Sequence, residues 1–229
     1  MLRPKKKISK RELKQDTLIT SYMKVTTFYA EHKKQISIGI TAVAAVIIAL
    51  VIYFKNQGDN NDRASAQLAA IHPLYDNAQY QQAVDGVPER NLVGLKSIVE
   101  NYGNSRMGNL ARFYLADAYF QLGKYAEALE EFDSCDPSGV LLEASRLAGI
   151  AACHEALGHY EDAGKYFERA AAKEPTDGAV AEHLHHAARN YVQAGDKEHA
   201  LDILKRLKKN YPTTTYGREA ERFISQLSV

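Results

Sequence analysis

The chain has 229 residues, 29 Lys/Arg against 28 Asp/Glu for a formal net charge of +1, and only two cysteines. The balance conceals an asymmetry: residues 1–35 hold ten basic residues (Arg3, Lys5, Lys6, Lys7, Lys10, Arg11, Lys14, Lys24, Lys33, Lys34) against Glu12, Asp16 and Glu31, so a leader of +7 precedes a remainder of −6. Two cysteines, Cys135 and Cys153, exclude a disulfide framework, and neither stands in a close Cys/His pair of zinc-ligand spacing.

In chain order, the leader comes first. Ser9 and Glu12 have the spacing of a capping box, which predicts a helix start there. Beyond it Leu18, Ile19, Tyr22, Met23, Val25, Phe28 and Tyr29 alternate with Lys14, Lys24, Glu31 and Lys33, the pattern of a helix lying on an anionic membrane surface. Lys5-Lys6-Lys7 also fits a nucleic-acid patch, but a basic run directly before an apolar segment is explained by the positive-inside rule, and no nucleic acid is expected as partner.

Ile36 to Phe54 is nineteen residues without a charge. As a helix it reaches about 28 Å, close to the hydrocarbon thickness of a bilayer. The leader's charge then puts the N-terminus in the cytoplasm and everything after Phe54 on the far side, the periplasm of a bacterial inner membrane. Ala64-Ser65-Ala66 has the form of a signal-cleavage site but lies about ten residues past an apolar run too long for a signal core, so an uncleaved anchor is expected. The polar residues Asn56 to Asp62 read as a short tether.

The long remainder repeats. Gly123, Gly158 and Gly195 stand 35 and 37 residues apart; Tyr125, Tyr160 and Lys197 follow two residues after each, Ala128, Ala163 and Ala200 five after, and Phe132, Phe167 and Leu204 nine after. Small residues at fixed places with this period predict stacked helical hairpins. The glycine takes the left-handed cap that reverses the chain, the alanine lets the second helix approach the first, and the apolar residue four further on fills the space beside it. Pro175 and Pro212 end second helices. Upstream, Ala78, Tyr80 and Ala83 repeat the tail of a hairpin turn before Asp85 to Arg90 interrupts, and an apolar helix over Leu92 to Tyr102 follows: a degenerate first repeat with an inserted loop, in which Pro73 kinks or delays the first helix. At the end, Ala220, Phe223, Ile224 and Leu227 share one face of a capping helix.

These positions resemble the tetratricopeptide repeat. The fold class expected is therefore all-α: a basic leader over 1–35, a membrane helix over 36–54, a tether over 55–65, and a tetratricopeptide-like helical-hairpin solenoid over 66–229. Within it the degenerate repeat covers 66–108, regular repeats 109–143, 144–180 and 181–214, and the cap 216–228. The order of leader, span, tether, degenerate repeat and regular repeats resembles a bacterial family of single-span periplasmic tetratricopeptide proteins that includes the ancillary subunit of the Sec translocon. That resemblance implies work beside the translocon and a membrane-anchored periplasmic chaperone, on emerging or periplasmic clients; a scaffold subunit of another envelope complex is the alternative. It also implies that the first helix of each hairpin lines a groove. Carrying the inward positions over gives Phe113, Asp117, Phe120 and Gln121, then Ala148, Ala152 and Glu155, then His185, Arg189, Val192 and Gln193.

The remaining candidate residues point to no other chemistry. His183, His185 and His186 beside Glu182 resemble a metal cluster, but only two imidazoles share a face and no third ligand falls at a fixed spacing. His154 reads as a satisfied polar group between helices. Cys135 and Cys153 come out about 15 Å apart along paired helices, beyond disulfide reach. Phosphate loops, nucleophile elbows and HExxH helices are absent from the sequence, so no cofactor and no catalysis are expected.

Overall fold

The computed structural model describes residues 10–136 and 139–227, with side chains from residue 19 onward. Ser9 of the expected capping box lies outside the described residues. Ten α-helices make up most of the described chain: α1 (Lys10–Asp76), α2 (Tyr80–Asp85), α3 (Leu95–Tyr102), α4 (Arg106–Gln121), α5 (Tyr125–Asp133), α6 (Val140–Ala156), α7 (Tyr160–Lys173), α8 (Asp177–Gln193), α9 (Lys197–Asn210) and α10 (Thr215–Leu227). Two units divide the chain at Asn56 and Gln57.

The first unit is helical from residue 10, and its side chains stand exposed: Ile38, Ile40, Val43, Val46, Ile47, Ile48, Leu50, Val51, Ile52 and Phe54 all face outward. An uncharged helix apolar on every side has no soluble core to bury it. The segment is long and apolar enough to cross a membrane.

The second unit begins earlier than its sequence suggested. Residues 57–65 of the expected tether are helical, because their polar side chains are used: Gln57 Nε2 donates to the Asn104 carbonyl at 2.6 Å, and Asn61 Oδ1 accepts from the Met107 amide at 3.0 Å. Ala64, Leu68, Ile71 and Leu74, at helical spacing, then bury against Ala83, Val84, Leu95, Ile98, Val99, Ala111, Leu115 and Ala118. Pro73 neither starts nor ends a helix; it sits in the last turn of α1. Residues 57–76 and the following α2 and α3 form the degenerate repeat. Its inserted loop is a small antiparallel pair, β1 (Gly86–Val87) with β2 (Leu92–Val93), in register Gly86 to Val93 and Val87 to Leu92. Helix α3 accordingly starts at Leu95, three residues later than the apolar pattern implied.

The regular hairpins are α4/α5, α6/α7 and α8/α9, capped by α10. Helices α6 and α8 begin at Val140 and Asp177, each four residues before the boundary expected from the repeat period. Gly123, Gly158 and Gly195 have φ of 74°, 78° and 86°, the left-handed region where a side chain is strained. At each the next amide reaches back five residues: Lys124 N to Tyr119 O (2.9 Å), His159 N to His154 O (2.8 Å), Asp196 N to Tyr191 O (2.9 Å). The degenerate repeat makes the same turn without glycine. Ala78 has φ 57°, and Gln79 N reaches Leu74 O at 2.8 Å. Alanines Ala128, Ala163 and Ala200, and Phe132, Phe167 and Leu204 four residues on, are all buried, as close packing of the paired helices requires.

Candidate functional site

The first helices of the three regular hairpins bring their side chains to one cleft of about 620 Å³. From α4 come Phe113, Asp117, Phe120 and Gln121; from α6, Ser145, Ala148, Gly149, Ala152, Glu155 and Ala156; from α8, Glu182, His183 and His186. Second helices add Phe132 from α5 and Phe167 from α7. Of the positions carried over by resemblance, those on α4 and α6 are together in this cleft. Arg189 reaches it only through a partner, and His185, Val192 and Gln193 do not line it.

His185 turns to the cap instead. Its ring lies 5.0 Å from that of Tyr216 and 5.9 Å from that of Phe223 on α10, and Val192 joins the same apolar cluster. His186 lies in the cleft with its ring 5.1 Å from Phe167, which His183 also stacks against at 6.3 Å. Three histidines in four residues thus face two ways.

The apolar side of the cleft is aromatic. Phe113 meets Phe132 edge to face at 5.6 Å, and Phe120 leans on the turn residue Tyr125 at 5.3 Å. Gly149 exists because of Phe132: a Cβ there would lie 2.5 Å from the ring. The absent side chain lets an aromatic from the second helix come through to the groove face, which repeat positions alone do not reveal.

The polar side is acidic. Asp117 accepts a hydrogen bond from Tyr75 Oη on α1, and desolvation together with that carboxylate pushes the Tyr75 phenol upward, so the phenol keeps its proton as the donor. Glu155 is paired with the Arg189 guanidinium and accepts from Asn190 Nδ2 at 2.9 Å; Asn190 is 1% exposed and also donates to the His186 carbonyl at 3.0 Å. Glu182 is half exposed, with His186 at 3.9 Å. Burial pushes His183, His185 and His186 below the ordinary histidine value, holding them neutral near pH 7.

Other sequence candidates fall elsewhere. His154 is not satisfied as expected: it stacks on Tyr166 at 5.3 Å, and its buried Nδ1 has no hydrogen-bond partner among the described residues. Cys135 and Cys153 are free and buried, and burial raises their thiols to about 11 and about 12, values at which they are poor nucleophiles. Among the described residues no three His, Cys, Asp or Glu converge as metal ligands.

The family model for the tetratricopeptide repeat matches residues 110–135 and 184–214, which cover most of the first and third regular hairpins. Those two hairpins match the tetratricopeptide-repeat pattern. The solenoid is similar to the crystal structure of a Podosopora anserina protein described as a kinesin light chain with nearly identical TPR-like repeats, at 20% identity and TM-score 0.52, over 73% of this chain and 86% of that one. A single-substitution variant of that protein matches alike, at 20% identity and TM-score 0.52, over 73% and 85%. At this identity the likeness speaks for the TPR-like fold. The search of curated proteins returns no match. Tetratricopeptide hairpins are a protein-interaction architecture, and the cleft brings half-buried Phe113 and Phe120 together with charged groups.

Proposed function

We propose that the chain is a single-pass membrane protein that uses the cleft between α4, α6 and α8 to hold a segment of another protein, and that binding rather than catalysis is its mechanism. The observation that carries this is the cleft itself: aromatic anchors beside small residues and a few charged groups, on rigid helices, is the composition of a peptide-binding groove. The uncharged exposed helix over 36–54 serves as anchor, with the +7 leader in the cytoplasm and the repeats on the periplasmic face of the inner membrane. Anchoring keeps the groove at high effective concentration near membrane partners, so modest affinity suffices. The order of elements supports a place beside the Sec translocon as a chaperone accessory, with a scaffold subunit of another envelope complex as the rival.

Two measurements test this. A reporter active only outside the cytoplasm, fused after Val229, is expected to be active; a stable but silent fusion overturns the topology. A photo-crosslinking residue at Ala152, in the cleft, is expected to capture translocon subunits and several clients. A single stoichiometric partner replaces the accessory reading with the scaffold, and crosslinks no stronger than from an exposed position outside the cleft remove the groove from the function.

A further inference from the structure

Charge separates possible ligands of the cleft more sharply than shape does. Among the described residues Asp117, Glu155 and Glu182 are its charged ones, and no Lys or Arg lines it. Glu155 is committed to Arg189 and Asn190. Asp117 accepts from the Tyr75 phenol, a neutral donor, and Glu182 stands beside the imidazoles of His183 and His186, which burial pushes toward their uncharged form. Two carboxylates that no Lys or Arg among the described residues pairs with therefore stand on the first and third of the helices lining the cleft. Between them α6 presents Ala148 and Ala152, side chains small enough for a peptide main chain to lie on. Phe113 and Phe120 adjoin Asp117 on α4.

We infer that this cleft selects a cationic segment, one that sets Lys or Arg side chains against Asp117 and Glu182 and an apolar or aromatic side chain against Phe113 and Phe120. The inference rests on the protein-binding reading of the cleft and adds the chemical class of the bound segment. A Lys or Arg near Asp117 meets a carboxylate and an aromatic surface together, each of which favours a cation. An acidic segment would bring carboxylate onto carboxylate, with no clamp of basic residues to receive it.

The test uses the full chain in nanodiscs of phosphatidylcholine, with empty nanodiscs as blank, and fluorescence anisotropy of labelled peptides of about ten residues, the length of a typical groove-bound segment. One peptide alternates lysine and arginine with phenylalanine and leucine, a second replaces every basic residue by glutamate, and a third replaces the apolar residues of the first by serine. The first is expected to bind, more weakly as salt rises. Asp117→Asn with Glu182→Gln, which keeps an acceptor for Tyr75, should weaken it roughly tenfold, the sum of one half-buried and one exposed ion pair. Gln121→Lys, on the exposed rim, should weaken it without touching any buried group. The glutamate and serine peptides should bind at least tenfold more weakly. Equal affinity for the glutamate peptide, unchanged affinity in both variants, or no binding of any peptide overturns the inference. The Ala152 crosslink is independent of ligand charge, so a partner captured there alongside a failed peptide series leaves the groove in function and removes only its cationic preference.

Discussion

The turn at Ala78 offers a quantitative test of the claim that residues 57–102 are a genuine repeat. Ala78 sits at φ 57° where three later repeats place glycine at 74° to 86°, and its methyl group is exposed. A left-handed alanine carries about 1–2 kcal/mol of strain, whereas glycine there adds about 0.4–1 kcal/mol of chain entropy to the unfolded state. Ala78→Gly should therefore stabilise the unit by about 0.5–1 kcal/mol. The reverse change, Gly158→Ala, should cost a similar amount, because a Cβ at Gly158 meets no atom within 4 Å and adds no packing penalty. For a unit of this size about 1 kcal/mol corresponds to roughly 2–4 °C in Tm. The assay is thermal unfolding followed by helical circular dichroism on full-length protein in nanodiscs, with Gly158→Asn as a control, since asparagine tolerates the left-handed region and should lose less than alanine. A fall in Tm for Ala78→Gly, or a Gly158→Ala loss far above 2 kcal/mol, would refute the shared turn geometry.

Two further outcomes follow from the cleft and its cap. Gly149→Ala should cost about 1–3 kcal/mol, read as lower Tm, because the new methyl lands 2.5 Å from the buried Phe132 ring; an unchanged melt would mean that the ring is free to move. Acidification should destabilise the solenoid: His183, His185 and His186 have lowered folded values, so their contribution is fully present above the unfolded value of about 6.5 and is lost as pH falls from there through the folded values. Glu219 on α10 partly opposes the effect at His185, as Glu155, Glu174 and Glu182 do at the other two, while Arg189 reinforces it. Tm at pH 5.5 should lie below that at pH 7.5, and His185→Phe, which keeps a ring against Tyr216 and Phe223, should narrow the gap; an equal gap would refute the assignment.

How far the sequence carried the site can be stated position by position. Residues ten, six, three and two before a turn glycine are Phe113, Asp117, Phe120 and Gln121 in the first regular hairpin and Ala148, Ala152, Glu155 and Ala156 in the second, and all line the cleft. The same offsets in the third give His185, Arg189, Val192 and Gln193, which are not among the lining residues. That series faces the following repeat, and after α8 the following element is the cap, so His185 and Val192 pack against α10. The opposite edge of α8, with Glu182, His183 and His186, faces the preceding hairpin and completes the cleft. The repeat register was legible, but where the series would run out against a cap depends on packing between distant segments. Phe132 and Phe167 were read as filling for their own hairpins, which they are. Their reach into the cleft depends on what stands opposite, Gly149 in one case and two imidazoles in the other, and no local pattern encodes that. The helical state of residues 57–65 escaped for a similar reason: Asn and Gln look like linker until the backbone groups they satisfy, at Asn104 and Met107, are in place.

The insert in the first repeat has a practical meaning. Its two short strands bring Gly86 opposite Val93, and Gly94 lies so close to the backbone of Val84 to Gly86 that a Cβ there would sit 2.3 Å from the Val84 carbonyl oxygen. The chain leaves the second helix after Asp85 and returns beside its point of departure, so α3 resumes the stack almost where α2 left it. Whatever is spliced between Glu89 and Arg90, at the exposed tip, hangs from a closed neck. An epitope or fluorophore-binding tag placed there would report on this protein in living cells while leaving the cleft, the anchor and both termini as they are.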